Sequence, residues 1–127
     1  MIRQTLLAAG LSLVAAGAAQ AQEVGPQDLN LLYLGNAGTP RAEAFETFLT
    51  GRFTSVRVAD RDTFDPATVG DADVVLLDWS ARDVVNMKMD EITSPLGPRE
   101  SWTTPTVLLG SAGLLIAGPW QTNGAYG

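Results

Sequence analysis

The stretch Asp73-Val74-Val75-Leu76-Leu77-Asp78 is the strongest indication of fold class, because it places a continuous apolar run between two carboxylates. Strands of a parallel sheet are buried on both faces, so their sequences are apolar throughout rather than alternating. The run is also short, and short buried runs are more typical of strands than of helices. This composition predicts a central strand of a parallel sheet.

Three other segments predict strands around this one. Leu31-Leu32-Tyr33-Leu34 precedes it in the chain and Thr106-Val107-Leu108-Leu109 follows it, and both are apolar runs of the same kind. Residues 55–60 alternate between polar and apolar side chains, a pattern typical of a strand nearer a sheet edge.

Helical signals lie between the predicted strands. Thr39 is a good N-cap and Pro40 a good first helical residue, since the missing N–H of proline would be unpaired there. Apolar residues follow at spacings of three and four, and Gly51 predicts a left-handed C-cap. A short crossover is expected over residues 62–70, and a capping-box spacing predicts a helix over residues 80–91.

Alternating strands and helices predict an α/β fold. We expect a small, doubly wound, open parallel sheet of about four strands in the order 2-1-3-4, which is a flavodoxin-like arrangement. Residues 29–127 would form one domain. Four strands is a small count for this architecture, and the chain runs into a glycine-rich stretch at residues 123–127. These features raise the hypothesis that the domain is truncated at its C-terminus.

The N-terminus has the pattern of a secretory signal peptide. Arg3 precedes an apolar run over residues 5–19, and Ala19-Gln20-Ala21 has small residues at the two positions that signal peptidase recognises. The run is shorter than the roughly 20 residues that a membrane span needs. We therefore predict cleavage after Ala21, a flexible leader over residues 22–28, and a periplasmic or secreted product.

Charge and composition exclude several partners and chemistries. Without residues 1–21 the chain keeps 14 acidic side chains and seven basic ones, a net charge of −7 after the loss of Arg3. That acidity disfavours nucleic acids and membrane surfaces as partners. The chain has no histidine and no cysteine, so it lacks the groups for Ser-His-Asp or Cys-His catalysis and for histidine-based zinc sites. We predict no catalytic residue, no metal site and no cofactor.

A binding crevice is predicted at the carboxyl ends of the strands, where open α/β sheets bind their ligands. These ends converge in space if the fold is right. The residues at the four ends are Gly35, Asn36, Gly38, Asp60, Asp78, Trp79, Ser80, Gly110 and Ser111.

Several of these residues also have purely structural interpretations. The loop over residues 35–38 has two of the three glycines of the dinucleotide fingerprint, so a tight turn is favoured over a phosphate site. Asp60 is favoured as a cap or ion-pair partner rather than a ribose ligand. Ser111 has no histidine to activate it and is favoured as an N-cap over a nucleophile. Trp79 could stack on a flat ligand, but roofing a small core is favoured.

Asp78 and Ser111 end neighbouring predicted strands, and this pair resembles the aspartate and hydroxyl of a response-regulator receiver domain. A receiver also has an acidic pair after its first strand, where this chain has Gly35-Asn36, and a lysine ending a fifth strand. Phosphoryl transfer is therefore rejected.

A wider resemblance rests on three runs of sequence. The stretches 31–36, 72–79 and 105–113 are together similar to the class I glutamine amidotransferase-like fold, in the variant found in exported, uncharacterised bacterial proteins. In active amidotransferases the strand-to-helix elbow carries a cysteine, followed later by a histidine and a glutamate. Ser111 stands at the elbow here, so the resemblance implies the fold and not glutaminase activity.

Three functional hypotheses follow. The first is an exported, non-catalytic domain that binds a small molecule or a partner protein at the crevice. The second is the N-terminal part of an amidotransferase-like or ThuA-like enzyme whose catalytic residues lie beyond Gly127. The third is a structural envelope protein without a ligand.

Overall fold

A computed structural model of the chain describes residues 27–88 and 90–122. Its strands are β1 (Gln27–Gly35), β2 (Phe53–Asp60), β3 (Val74–Trp79) and β4 (Thr106–Gly110), and its α-helices are α1 (Pro40–Thr50), α2 (Ala81–Val84) and α3 (Ala112–Ala117). Short 3-10 turns lie at Pro66–Thr68 and Arg99–Ser101. The predicted signal peptide, residues 22–26 of the leader and the glycine-rich stretch at residues 123–127 lie outside the described residues.

The four strands form one parallel sheet in the order β2-β1-β3-β4, which confirms the predicted fold class and strand order. β3 lies inside the sheet, as its apolar composition predicts, and β2 lies at an edge. β1 begins at Gln27, so Gln27 and Asp28 belong to the sheet rather than to a flexible leader. Gln27 pairs with the edge strand β2, where it lies opposite Phe53.

Alternating side chains divide the sheet between two apolar clusters, because successive residues of a strand point to opposite faces. One cluster contains Leu32, Leu34, Val75, Leu77 and Trp79 from the strands, with Ile92 and Leu96 from the β3–β4 connection and Ala112, Leu115 and Ile116 from α3. The other contains Leu31 and Tyr33, with Ala42 and Leu49 from α1. The consequence for the site is that Trp79 and its neighbour Asp78 lie on opposite faces.

The start of α1 confirms the predicted capping signals. The Thr39 side chain accepts a hydrogen bond from the Ala42 N–H, and Pro40 is the first helical residue. The predicted left-handed cap at Gly51 is wrong, because Gly51 has φ −77°. The helix ends instead in a right-handed turn closed by the Arg52 N–H on the Leu49 carbonyl oxygen, at 2.8 Å.

The predicted helix over residues 80–91 is much shorter in the structure. Ser80 caps it as expected, accepting from the Asp83 N–H at 3.3 Å, but the helix ends at Val84. The chain then leaves the helical path, and Ile92 and Leu96 pack into the cluster around Trp79. Burial of these two side chains outweighs local helix propensity, which is a weak preference.

The turn from β4 into α3 is tight. Gly110 has φ +61°, and the Ser111 N–H donates to the Trp79 carbonyl oxygen at 2.7 Å. Ser111 occupies the predicted N-cap position, but its side chain makes no capping hydrogen bond. No helix within residues 27–88 and 90–122 is long and apolar enough to cross a membrane.

Candidate functional site

An open cleft lies between the carboxyl ends of β1 and β3. The connection after β1 runs through α1 on one face of the sheet, whereas the connections after β2 and β3 pack against the cluster on the other face. The chain therefore leaves these adjacent strands in opposite directions, which is the position where open α/β sheets bind ligands. The cleft has a volume of about 590 Å³ and is lined by Tyr33, Asn36, Thr39, Pro40, Arg41, Asp78, Ser80, Ala81, Arg82 and Asp83.

The floor of this cleft is the Asp78 carboxylate, which is only 2% exposed. It accepts a hydrogen bond from the Tyr33 hydroxyl at 2.6 Å and a bidentate pair from Arg41, through Nε at 2.7 Å and Nη2 at 2.8 Å. Sheet register explains part of this geometry, since Tyr33 lies opposite Leu76 and so shares a face with the residue two positions further along β3. Tyr33 is itself held by stacking on Phe45, with 5.1 Å between ring centroids.

The three groups set one another's ionisation. Burial favours a raised pKa for Asp78, but the hydrogen bonds from Arg41 and then Tyr33 outweigh it, and the pKa lies below its ordinary value. Burial, followed by the hydrogen bond to Asp78, raises the pKa of Tyr33. The hydrogen bond to Asp78 raises the pKa of Arg41. At neutral pH the site therefore holds an ion pair and a neutral phenol.

A second arginine, Arg61, contacts the main chain at Asp78. Arg61 follows β2 directly and is 6% exposed. Its Nη1 donates to the Asp78 main-chain carbonyl at 3.0 Å, and its Nη2 lies 3.0 Å from the Asp83 carboxylate. The guanidinium also lies 4.8 Å from the Trp79 ring centroid, a cation–π arrangement. Arg61 thus ties the ends of β2 and β3 to the start of α2.

The glycine loop after β1 is satisfied by its own neighbours. Asp60 accepts from the Ala37 N–H at 3.1 Å and from the Asp62 N–H at 2.9 Å. The Thr39 hydroxyl donates to the Asn36 carbonyl at 2.7 Å. Asp60 therefore caps this loop, and the Ala37 amide that an anion would need is already used.

The predicted site residues separate into three groups. Asn36, Asp78 and Ser80 line the cleft. Gly35, Gly38 and Asp60 shape the loop beside it; a side chain at Gly35 would meet the Tyr33 ring. Trp79 packs into the core on the opposite face, and Gly110 and Ser111 form the β4–α3 turn and do not line the cleft.

Five charged or polar residues of the site are absent from the set predicted from the sequence. These are Tyr33, Arg41, Arg61, Arg82 and Asp83. A usable signal existed for Tyr33, whose hydroxyl is the one polar group in the apolar run of β1. A second signal was the pair of arginines placed one position after Pro40 and one position after β2, both at strand or helix ends that face the predicted crevice.

The Asp78 carboxylate and the Ser80 hydroxyl are both engaged within the protein. Both Asp78 oxygens are engaged and the Ser80 hydroxyl caps α2, so neither supplies a free base or an activated nucleophile. Within the described ranges 27–88 and 90–122 there is no group of three or more His, Cys, Asp or Glu residues that could hold a metal ion.

Comparisons of the chain with protein-family models, with curated proteins and with solved structures found no match. The resemblance to the amidotransferase-like proteins stays a prediction.

Proposed function

We propose that this chain is an exported binding domain that holds a small organic molecule, without transforming it, in the cleft above Asp78. The observation that carries the proposal is the fixed orientation of Arg41. Its guanidinium is clamped onto a buried carboxylate that Tyr33 holds from another direction, yet 46% of the side chain is exposed where it lines the cleft. A polar group oriented in advance loses little conformational entropy when a ligand binds.

The size and lining of the cleft support an organic ligand. A volume of about 590 Å³ falls within the roughly 300–1,000 Å³ of small-molecule sites. Pro40 and Ala81 offer apolar contacts, while Arg41 and Asn36 offer polar ones. Such mixed linings hold the body of a ligand and orient its polar groups.

The ionisation of the site supports binding without catalysis. The lowered pKa of Asp78 keeps its carboxylate charged at neutral pH, and the raised pKa of Tyr33 keeps its hydroxyl protonated. A general acid or base works best when its pKa lies near the working pH. Neither group meets that condition.

A blocking substitution tests the proposal. Ala81 lines the cleft and makes no part of the ion pair, so Ala81→Phe would fill the space and leave Asp78 and its partners intact. Residues 1–127 would be expressed, and a library of small organic compounds screened by protein-observed NMR. We expect ligands to shift the amide signals of Asn36 and residues 80–83. Ala81→Phe should lower the affinity of these ligands at least about tenfold.

The matched control is Ala44→Phe, which adds the same side chain at an exposed position of α1 that does not line the cleft. It should bind these ligands as the unmodified protein does. Ligands that bind Ala81→Phe unchanged, or that shift only amides distant from the cleft, would contradict the proposal.

Export is part of the proposal and has its own test. It is supported by Arg3, the apolar run over residues 5–19 and the small residues of Ala19-Gln20-Ala21. Expression of residues 1–127 in a bacterium should yield a periplasmic or secreted product whose intact mass is that of a chain beginning at Gln22. A full-length product confined to the cytoplasm would contradict this part.

A further inference from the structure

The charges that border the cleft are paired, with one exception. Arg41 neutralises Asp78, and Arg61 neutralises Asp83 at 3.0 Å. Arg82 lines the same cleft and, within residues 27–88 and 90–122, makes neither an ion pair nor a side-chain hydrogen bond. The lining therefore contains one guanidinium without a counter-charge.

Arg41 has donors to spare as well. A guanidinium carries five N–H groups, and Arg41 directs only its Nε edge, through Nε and Nη2, at Asp78. The Nη1 edge has no acceptor within the described part of the chain, and the side chain is 46% exposed. An anion could bind this free edge without disturbing the ion pair beneath it.

The acceptors of the cleft argue against a cationic ligand. Asp78 is 2% exposed and accepts three hydrogen bonds, and the Asp83 carboxylate is engaged by Arg61. A ligand cation would compete with an arginine for either carboxylate. The unpaired charge in the cleft lining is therefore positive.

We infer that the ligand of this cleft is a small organic anion whose carboxylate or phosphate group is held by the free N–H groups of Arg41 and Arg82. Its carbon body packs between Pro40 and Ala81, which are apolar and line the same cleft. The inference rests on the proposed function of the cleft and names the class of its ligand.

The acidity of the whole protein does not prevent this. The net charge of the chain is −6, but exposed charges more than about 8 Å apart are largely screened at physiological ionic strength. Contact hydrogen bonds from guanidinium to carboxylate or phosphate act at under about 3 Å and are charge-assisted. The local donors therefore outweigh the distant carboxylates.

Three simple probes test the inference. Benzoate, phenyl phosphate and neutral benzamide would be titrated into the protein expressed from residues 1–127, with amide shifts followed by NMR. We expect at least one anion to bind with a dissociation constant of about 1 mM and benzamide to bind at least about tenfold more weakly. Tighter binding of benzoate identifies a carboxylate ligand, and tighter binding of phenyl phosphate identifies a phosphate ester.

Two arginine variants assign the contact. Arg82→Gln should weaken the preferred anion about tenfold, since it removes a charge-assisted hydrogen bond. Arg99→Gln makes the same change at an exposed position that does not line the cleft, and should leave the affinity unchanged.

The outcomes separate the inference from the function on which it rests. If benzamide binds as tightly as benzoate at the same amides, or if the two variants behave alike, the anion inference is overturned and the cleft remains a binding site. If none of the three probes shifts the amides of residues 36–39, Arg41 and residues 80–83, the anion inference fails. The proposed function is overturned as well if the library screen also finds no ligand there.

Discussion

Asp78 has two unlike partners, and this asymmetry determines what each substitution does at the scale of single residues. Arg41 brings a charge and a bidentate hydrogen bond, whereas Tyr33 brings a single hydrogen bond from a neutral group. Asp78 is almost fully buried, but the Arg41 side chain is 46% exposed. Removing Arg41 therefore leaves an unpaired charge in the protein interior, whereas removing the charge of Asp78 leaves an unpaired arginine that can reach water.

Arg41→Ala should destabilise the protein more than Asp78→Asn. The first change leaves a buried carboxylate without its cationic partner, which lowers the free energy of unfolding by about 3 kcal/mol or more. The second leaves an amide that still accepts from Tyr33 and releases Arg41 towards water, at about 1–2 kcal/mol. Urea unfolding at pH 7 measures both free energies, with Arg99→Ala as an exposed control expected within about 0.5 kcal/mol of the parent. A larger loss for Asp78→Asn would contradict the picture.

The loss of unfolding free energy at acid pH should depend on Asp78. Its pKa in the folded protein is lowered, below the about 3.9 of an unfolded chain. The contribution of its charged form is therefore present above about pH 4 and is lost as the pH falls through the lowered folded pKa. Unfolding free energies measured from pH 6 to pH 2 should fall less steeply for Asp78→Asn than for the parent. Parallel profiles would exclude this role.

The loss of unfolding free energy at alkaline pH should depend on Tyr33. Its folded pKa is raised, so its contribution is complete below the ordinary pKa of about 10 and is lost as the pH rises towards the folded value. Tyr33→Phe has no hydroxyl to ionise. Above about pH 10 the parent should lose stability that Tyr33→Phe does not lose, as measured by urea unfolding at pH 8 to pH 11.

At the scale of elements, the β4–α3 turn has the least room for a side chain. Gly110 and Gly38 both have positive φ, at +61° and +76°, but a Cβ at Gly110 would clash with the Trp79 carbonyl oxygen, whereas at Gly38 it would meet nothing within 4 Å. That carbonyl also accepts the Ser111 N–H. The turn is therefore constrained by packing as well as by backbone conformation.

Gly110→Ala should consequently destabilise more than Gly38→Ala. The shared left-handed conformation costs alanine about 1–2 kcal/mol at either site, and overpacking at Gly110 adds about 1–3 kcal/mol. Thermal unfolding should show a Tm at least about 5 °C lower for Gly110→Ala than for Gly38→Ala. Equal Tm values would mean that the strand end relaxes away from the new methyl group.

At the scale of the whole molecule, the two edges of the sheet differ. On β2, the exposed Arg57 side chain donates to the carbonyls of Thr68 and Val69. β4 carries no charge, and its Val107 and Leu108 side chains are 47% and 40% exposed. Charged side chains on an edge strand discourage pairing with another molecule, so β4 is the edge at which association is expected.

Val107→Lys should reduce that association. We expect the parent protein to associate between about 10 μM and 1 mM, because within residues 27–88 and 90–122 no strand pairs with the outer edge of β4. A lysine at position 107 puts a charge on the edge. Val85→Lys is the matched control, since Val85 is 78% exposed and lies outside the strands. Sedimentation across this range should find Val107→Lys monomeric and Val85→Lys like the parent; a monomeric parent would contradict the expectation.

Three of the ten residues that line the cleft could be predicted, and the reason lies in what a sequence pattern records. Apolar runs identify strands, and parallel strands place their carboxyl ends at one edge, which is enough to find Asn36, Asp78 and Ser80. The same rule also included Trp79, Gly110 and Ser111. Side-chain alternation turns Trp79 to the opposite face, and the last two residues lie one strand beyond the cleft.

Sequence patterns predict the strands, their parallel arrangement, the order 2-1-3-4 and the caps at Thr39 and Ser80, because these depend on local periodicity and on the handedness of crossovers. Tertiary contacts, in contrast, set where the helix after Ser80 ends and which partners Asp78 has. Tyr33 lies 45 residues from Asp78 and Arg41 lies 37 residues from it. Contacts at such separations depend on register, twist and the position of α1 on the sheet, which no local pattern of residues records.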